Sequence, residues 1–181
     1  MERMWLCVFL ACLLASAPGG AADVATASGA KGRAVTRGGD LCDLLGPGDF
    51  AAAGVKGAGP PDSNSTPPTD FYCVYAGRSS YKGGIEFDAF LSDSAAAAAD
   101  VFETVIKENA ARHALDRARE LGVDEALLSL ESPGEPGPVA TLGVRRGKLV
   151  FAIGFPGNPQ AEVQLLGLAR TVLQRGDALT R

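Results

Sequence analysis

The sequence predicts an α+β domain: an antiparallel sheet of about five strands with helices packed on it. Three observations carry the prediction. Runs with strand character come as neighbours, at 71–76 with 85–91 and at 139–145 with 148–155, each pair joined by a short turn. Helical spacing appears between and after these pairs, so strands and helices are not interleaved one for one as in a doubly wound parallel sheet. The segment 148–155 is apolar or small on both faces, with Leu149, Phe151, Ile153 and Phe155 on one and Val150, Ala152 and Gly154 on the other. That pattern marks a central strand covered on both sides.

In chain order, the first feature is an export leader. Residues 4–17 form an apolar run with Arg3 before it and Pro18-Gly19-Gly20 after it. Fourteen apolar residues are too few to cross a bilayer, and the layout is that of a signal peptide at 1–22 with cleavage after Ala22. Lipid attachment at Cys12 is the competing processing route, since Leu10-Ala11-Cys12 resembles a lipid-attachment box. Phe9 and the apolar residues beyond Cys12 depart from that pattern. Residues 23–39, rich in Ala, Gly, Ser and Thr without periodicity, read as a flexible linker. A single domain at 40–176 follows.

That domain opens with Asp40-Leu41-Cys42-Asp43-Leu44-Leu45 and a short helical piece at 47–53, with Pro47 in its first turn and Gly54 at its stop. Residues 56–70 hold four prolines and read as a loop; Asn64-Ser65-Thr66 fits a glycosylation pattern that is common by chance. Strands at 71–76 and 85–91 are joined by a turn at 78–84. A helix capped by Ser92 or Asp93 buries Ala98, Val101, Phe102, Val105 and Ile106. Segment 109–120 suits either more helix or a polar loop. A short strand at 126–130 precedes the hairpin, which turns at Arg146-Gly147. The last helix has Asn158 and Pro159 at its start and Gly176 at its end.

Cys7 and Cys12 fall in the leader, leaving Cys42 and Cys73 as the only pair in the mature chain. In an oxidising compartment they form a disulfide, worth roughly 3–4 kcal/mol for a loop of about thirty residues. The pair lacks the Cys-x-x-Cys spacing of a redox site and the further ligands of a zinc site. Removing the leader takes away Glu2 and Arg3 together, so the net charge stays at −4. An acidic chain of this kind does not suit nucleic acid or an anionic membrane surface.

Most catalytic schemes fail on inventory. His113 is the single histidine and sits in a polar segment, and no serine occupies a Gly-x-Ser-x-Gly turn. Phosphate-binding glycine patterns are absent. Asp124, Glu125, Glu131 and Glu135 read as a solvated acidic surface rather than a calcium loop. No cofactor or metal is expected. Tyr72, Tyr75, Tyr81 and Phe90, on or beside adjacent strands, form the candidate binding surface. The alternative for these aromatics is packing beneath a helix.

Three stretches, Asp40-Leu41-Cys42-Asp43-Leu44-Leu45, Asp49-Phe50-Ala51-Ala52-Ala53-Gly54 and Cys73-Val74-Tyr75, resemble the opening of a family of secreted actinobacterial envelope proteins. Many of its members are lipoproteins of undetermined function, of the LpqN-like kind. Leu121-Gly122-Val123-Asp124-Glu125-Ala126 and Val144-Arg145-Arg146-Gly147-Lys148-Leu149-Val150 resemble its later motifs, with Val123 standing where a second glycine is usual. The resemblance spans residues 40–175. It implies a PsbP-like α/β/α sandwich, with a disulfide tying the first helix to the first strand, and no catalytic set. The expectation is therefore a monomeric extracytoplasmic accessory or binding protein of the cell envelope, with no membrane span after leader removal, whose partner is an envelope protein or a small apolar ligand. The alternative is a small secreted hydrolase using carboxylates the sequence does not single out.

Overall fold

The computed structural model of the chain describes residues 29–36, 38–63, 66, 69–76, 84–110, 113–130 and 139–180. The expected signal peptide, Asn64-Ser65, Tyr81, Glu131 and Glu135 lie outside them.

The fold is α+β, as expected, with one antiparallel sheet. Its five longer strands are β2 (Asp70–Ala76), β3 (Ile85–Leu91), β5 (Glu125–Ser129), β6 (Val139–Arg146) and β7 (Leu149–Pro156). Two further strands, β1 (Asp62–Ser63) and β4 (Leu115–Asp116), flank them, so among the described residues the sheet has seven strands rather than about five. The order is β1-β2-β3-β7-β6-β5-β4, every neighbour antiparallel, which makes β7 central. β1 arises within the proline-rich loop and β4 within the ambiguous 109–120 segment. Both are two residues long, and such short edges offer little template for pairing with another chain.

Side chains alternate across the sheet, so its two faces are separate sequence sets. On the first face, Phe71, Cys73, Tyr75, Phe87, Leu142, Phe151, Ile153 and Phe155 are all buried. They lie under α4 (Ala161–Arg175), α1 (Pro47–Ala52) and a 3₁₀ turn at Leu41–Leu44. α4 buries Leu165, Leu166, Leu168, Ala169, Val172 and Leu173 in this core. The Cys42–Cys73 disulfide joins the 3₁₀ turn to β2. On the second face lies α2 (Ala95–Val101), capped by Ser94, whose Oγ accepts from Ala97 N at 3.1 Å. α2 runs on into a π-helical turn, Phe102–Lys107, marked by Glu108 N donating to Glu103 O. α3 (Ala118–Leu121) is a single turn next to β5.

One expectation is corrected. Residues 29–36, read as part of a flexible linker, are a strap packed on the domain. Val35 is buried, Arg33 N donates to Asp43 O, and Gly48 N donates to Ala30 O. The strap passes so close to Gly46 that a Cβ there would overlap the Ala30 carbonyl. Its hub is Asp49, which accepts from Gly32 N (2.7 Å), Gly46 N (2.9 Å) and both terminal nitrogens of Arg175 (2.7 and 2.9 Å). Burial pushes the Asp49 carboxyl up, but the Arg175 and backbone hydrogen bonds outweigh it and hold it below the usual carboxylate range.

Candidate functional site

The register of the sheet sets the second face out as three rows. The first runs Glu125, Arg145, Val150, Phe90, Asp70; the second Leu127, Gly143, Ala152, Asp88, Tyr72; the third Ser129, Thr141, Gly154, Glu86, Val74. α2 and its π turn bury Ala98, Phe102 and Ile106 against Val150, with Phe90, Leu127 and Ala152 partly buried around them. The helix therefore covers the first row and part of the second. Ile106 can settle on the sheet because position 143 is glycine; a Cβ there would overlap Ile106 Cγ2.

The third row is not roofed by α2. Where helix cover ends, a cleft of about 280 Å³ opens between Glu86, Asp88, Ser129 and Thr141 on the strands and Val105 and Asn109 at the end of the π turn. Among the described lining residues, one wall is apolar, from Val105, Ile106, Ala110 and Leu127; the floor is small, at Gly143 and Ala152; the remainder is polar. Clefts of mixed lining with a few converging polar groups are the usual form of a small-ligand site. π-helical turns are rare and recur at functional positions.

Asp88 is the unusual group in this cleft. Its Oδ1 is shut off from solvent and accepts no hydrogen bond. Burial, reinforced by the charges of Glu86 and Asp70, pushes its carboxyl up to about 7. Two residues away on the same face, Glu86 accepts from the Tyr72 hydroxyl at 3.1 Å. Burial and then the Glu86 charge raise the Tyr72 hydroxyl well above its ordinary value, so it stays protonated and donates. The two acidic side chains thus differ: one is held by a phenol, the other carries an oxygen with no partner.

Charged groups at the far side of the π turn are tied to one another. Lys107 reaches Glu103 (2.7 Å) and Glu125 (3.1 Å), and Arg145 reaches Glu125 (2.6 Å) and Asp124 (3.2 Å). Asp124 and Glu125, expected as solvated acidic surface, are ion-pair partners here, with the Asp124 side chain still exposed. A larger hollow, about 430 Å³, lies beside Leu130, Asn158 and Pro159 at the start of α4. Its one ionisable lining residue among those described, Glu162, pairs with Arg117.

The candidate binding residues separate. Tyr72 and Phe90 lie on the second face, Tyr72 half-buried beside the cleft and Phe90 half-buried under α2. Tyr75 belongs to the opposite face and is removed from the surface set. It is 3% exposed, its ring packs on Phe50 with centroids 4.7 Å apart, and its hydroxyl donates to Cys42 O (3.1 Å) and Leu45 O (2.7 Å). Tyr81 lies outside the described residues, and His113 is exposed. Sequence reading missed Glu86 and Asp88. Alternation along β3 reads both as solvent-facing, and their setting depends on where α2 ends over the sheet.

Among the described residues no group of three or more His, Cys, Asp or Glu side chains is placed to hold a metal ion. Nor is any described helix long and apolar enough to cross a membrane. No protein-family model, curated protein or solved structure matches the chain.

Proposed function

We propose that this chain is an extracytoplasmic binding protein of the cell envelope, without catalytic chemistry of its own, that takes its ligand in the cleft between the π turn and the third row of the sheet. The observation that carries the reading is the half-covered face. α2 stops short of a row that includes Glu86, Thr141 and Ser129, and leaves Asp88 at the edge of its cover. A fold selected for stability alone gains by making such a row apolar and roofing it. The lining fits a ligand with a small apolar body against Val105, Ile106 and Leu127 and hydrogen-bonding groups at its other end. The Cys42–Cys73 disulfide is compatible with work outside the cytoplasm. Helices on both faces of one sheet, with the disulfide tying the opening turn to β2, support a PsbP-like sandwich and kinship with the LpqN-like envelope proteins.

One observation favours the hydrolase alternative: two carboxylates in one cleft, with Asp88 pushed up to about 7, is the raw material of acid–base catalysis. Against it, Glu86 and Asp88 stand side by side on one strand, whereas glycosidase carboxylates flank the bond they cleave. Binding is the better reading.

A photocrosslinking amino acid at Val105, beside the cleft, and another at Val163, exposed on α4, separate the outcomes. In envelope preparations the Val105 probe should capture a discrete species that the Val163 probe does not. Equal capture by both, or none, would count against the cleft. Glycan hydrolysis abolished by both Glu86→Gln and Asp88→Asn would establish the hydrolase instead.

A further inference from the structure

We propose that α2 and its π turn form a lid that lifts off the sheet as a unit while the α4 face stays folded, and that charge on Asp88 drives it open. The two faces are held very unequally. α4 buries eight residues, and its face also carries the disulfide and the Asp49–Arg175 hub. The lid buries three, Ala98, Phe102 and Ile106, and its one described ion pair to the sheet is Lys107–Glu125 at 3.1 Å. Segments with few buried apolar contacts open at lower cost than the whole molecule does. The π turn sits where such a unit meets the cleft, and Ile106 is its foot, resting on the backbone of Gly143.

Asp88 is placed to sense that motion. It lies in the second row, beside Ala152, where lid cover ends. Among the described residues, the ionisable groups that face it are Glu86 on its own strand and Asp70 and Tyr72 on β2. Of the described residues lining the cleft, those on the lid, β5, β6 and β7 carry no ionisable side chain. With the lid down, Oδ1 is shut off from solvent and accepts no hydrogen bond; lifting the lid hydrates it. An ionised Asp88 is therefore better accommodated in the open state, and its carboxyl, near 7 when covered, falls when uncovered, while the Glu86 and Asp70 charges on the sheet still hold it up. The closed state holds a proton that the open state releases, so the opening equilibrium rises by up to tenfold per pH unit as pH climbs toward about 7, then levels off.

Hydrogen exchange on the chain tests this without a ligand. After correction for intrinsic rates, opening of 95–107 should increase at least tenfold between pH 5 and pH 8, while 161–175 stays protected. Asp88→Asn should remove the pH dependence. Gly143→Ala, which forces Ile106 upward, should raise lid opening at both pH values and leave 161–175 protected. A lid that exchanges independently of pH, a pH response that survives Asp88→Asn, or 161–175 opening together with the lid would each overturn the proposal. The lid builds on the cleft reading but fails separately: a lid that opens over a cleft that captures nothing sinks that reading alone.

Discussion

Removing the Asp49 carboxylate tests how the strap and the helix face are held. Asp49 is 8% exposed and accepts four hydrogen bonds, two from Arg175 and one each from Gly32 N and Gly46 N. Asp49→Ala leaves the Arg175 guanidinium, whose side chain is only 18% exposed, with the Leu44 carbonyl as its remaining partner. Breaking a buried ion pair from one side costs about 3–5 kcal/mol. Each backbone N–H that loses its acceptor adds about 1–3 kcal/mol where it stays buried. Gly32 N can rehydrate if the strap lifts, whereas Gly46 N stays buried, so the sum is about 4–8 kcal/mol. For a domain of this size that is a fall in Tm of about 8–30 °C. Urea unfolding gives the free energy, and exchange at the amides of 30–36 reports strap release. A double-mutant cycle with Arg175→Ala should show strong coupling, because the second change removes the orphaned charge. Asp49 sits below its ordinary value, so its contribution is present above about 4 and is lost as pH falls through the depressed value. A loss under about 1 kcal/mol, or additive single mutants, would refute the hub.

Three further outcomes follow from the same geometry. Asp88→Asn should gain stability over the parent as pH rises from 4 to 7, by up to about 4 kcal/mol, since the raised carboxyl favours the fold below about 4 and loses that contribution on ionising near 7; urea midpoints of both proteins across pH 4–8 cancel the opposing trend of Asp49, and a constant difference would contradict the burial of Asp88. The Cys42→Ser/Cys73→Ser pair should cost roughly 3–4 kcal/mol, given a sequence separation of 31; denaturation matching the parent under non-reducing conditions would contradict it. Tyr75→Phe should cost about 1–2 kcal/mol by leaving the Cys42 and Leu45 carbonyls without their donor, and an unchanged urea midpoint would count against those bonds.

How much of this was legible in the residues depends on what held each element in place. β2, β3, the β6–β7 hairpin and α4 announce themselves through periodicity and end signals, and they form where expected. The hairpin turn is displaced by one residue: Arg146 pairs with Leu149, so Gly147 and Lys148 make the turn. β1 and β4 carry no readable pattern because two residues have no period; they exist only because a neighbouring strand edge was free to pair. The strap was illegible for a related reason, since backbone groups and glycines hold it and Val35 is its one buried apolar side chain. Tyr75 could have been assigned correctly. It shares its face with Cys73, two residues earlier, and a bridged cysteine faces the core. Glu86 and Asp88 could not be assigned from their strand alone, because alternation reads them as solvent-facing. Their setting depends on where α2 stops along the sheet, and only the tertiary packing of Ile106 on Gly143 decides that.

In the proposed reading the half-covered face, rather than any other part of the surface, receives the ligand. The direct test is to titrate solubilised envelope extract into the isotope-labelled chain and map which backbone amides shift. Saturable shifts clustered at Thr141, Gly143, Ala152 and Gly154, lost in Asp88→Asn, are the predicted result. Shifts spread over α4 and the strap with those four amides unmoved would contradict it.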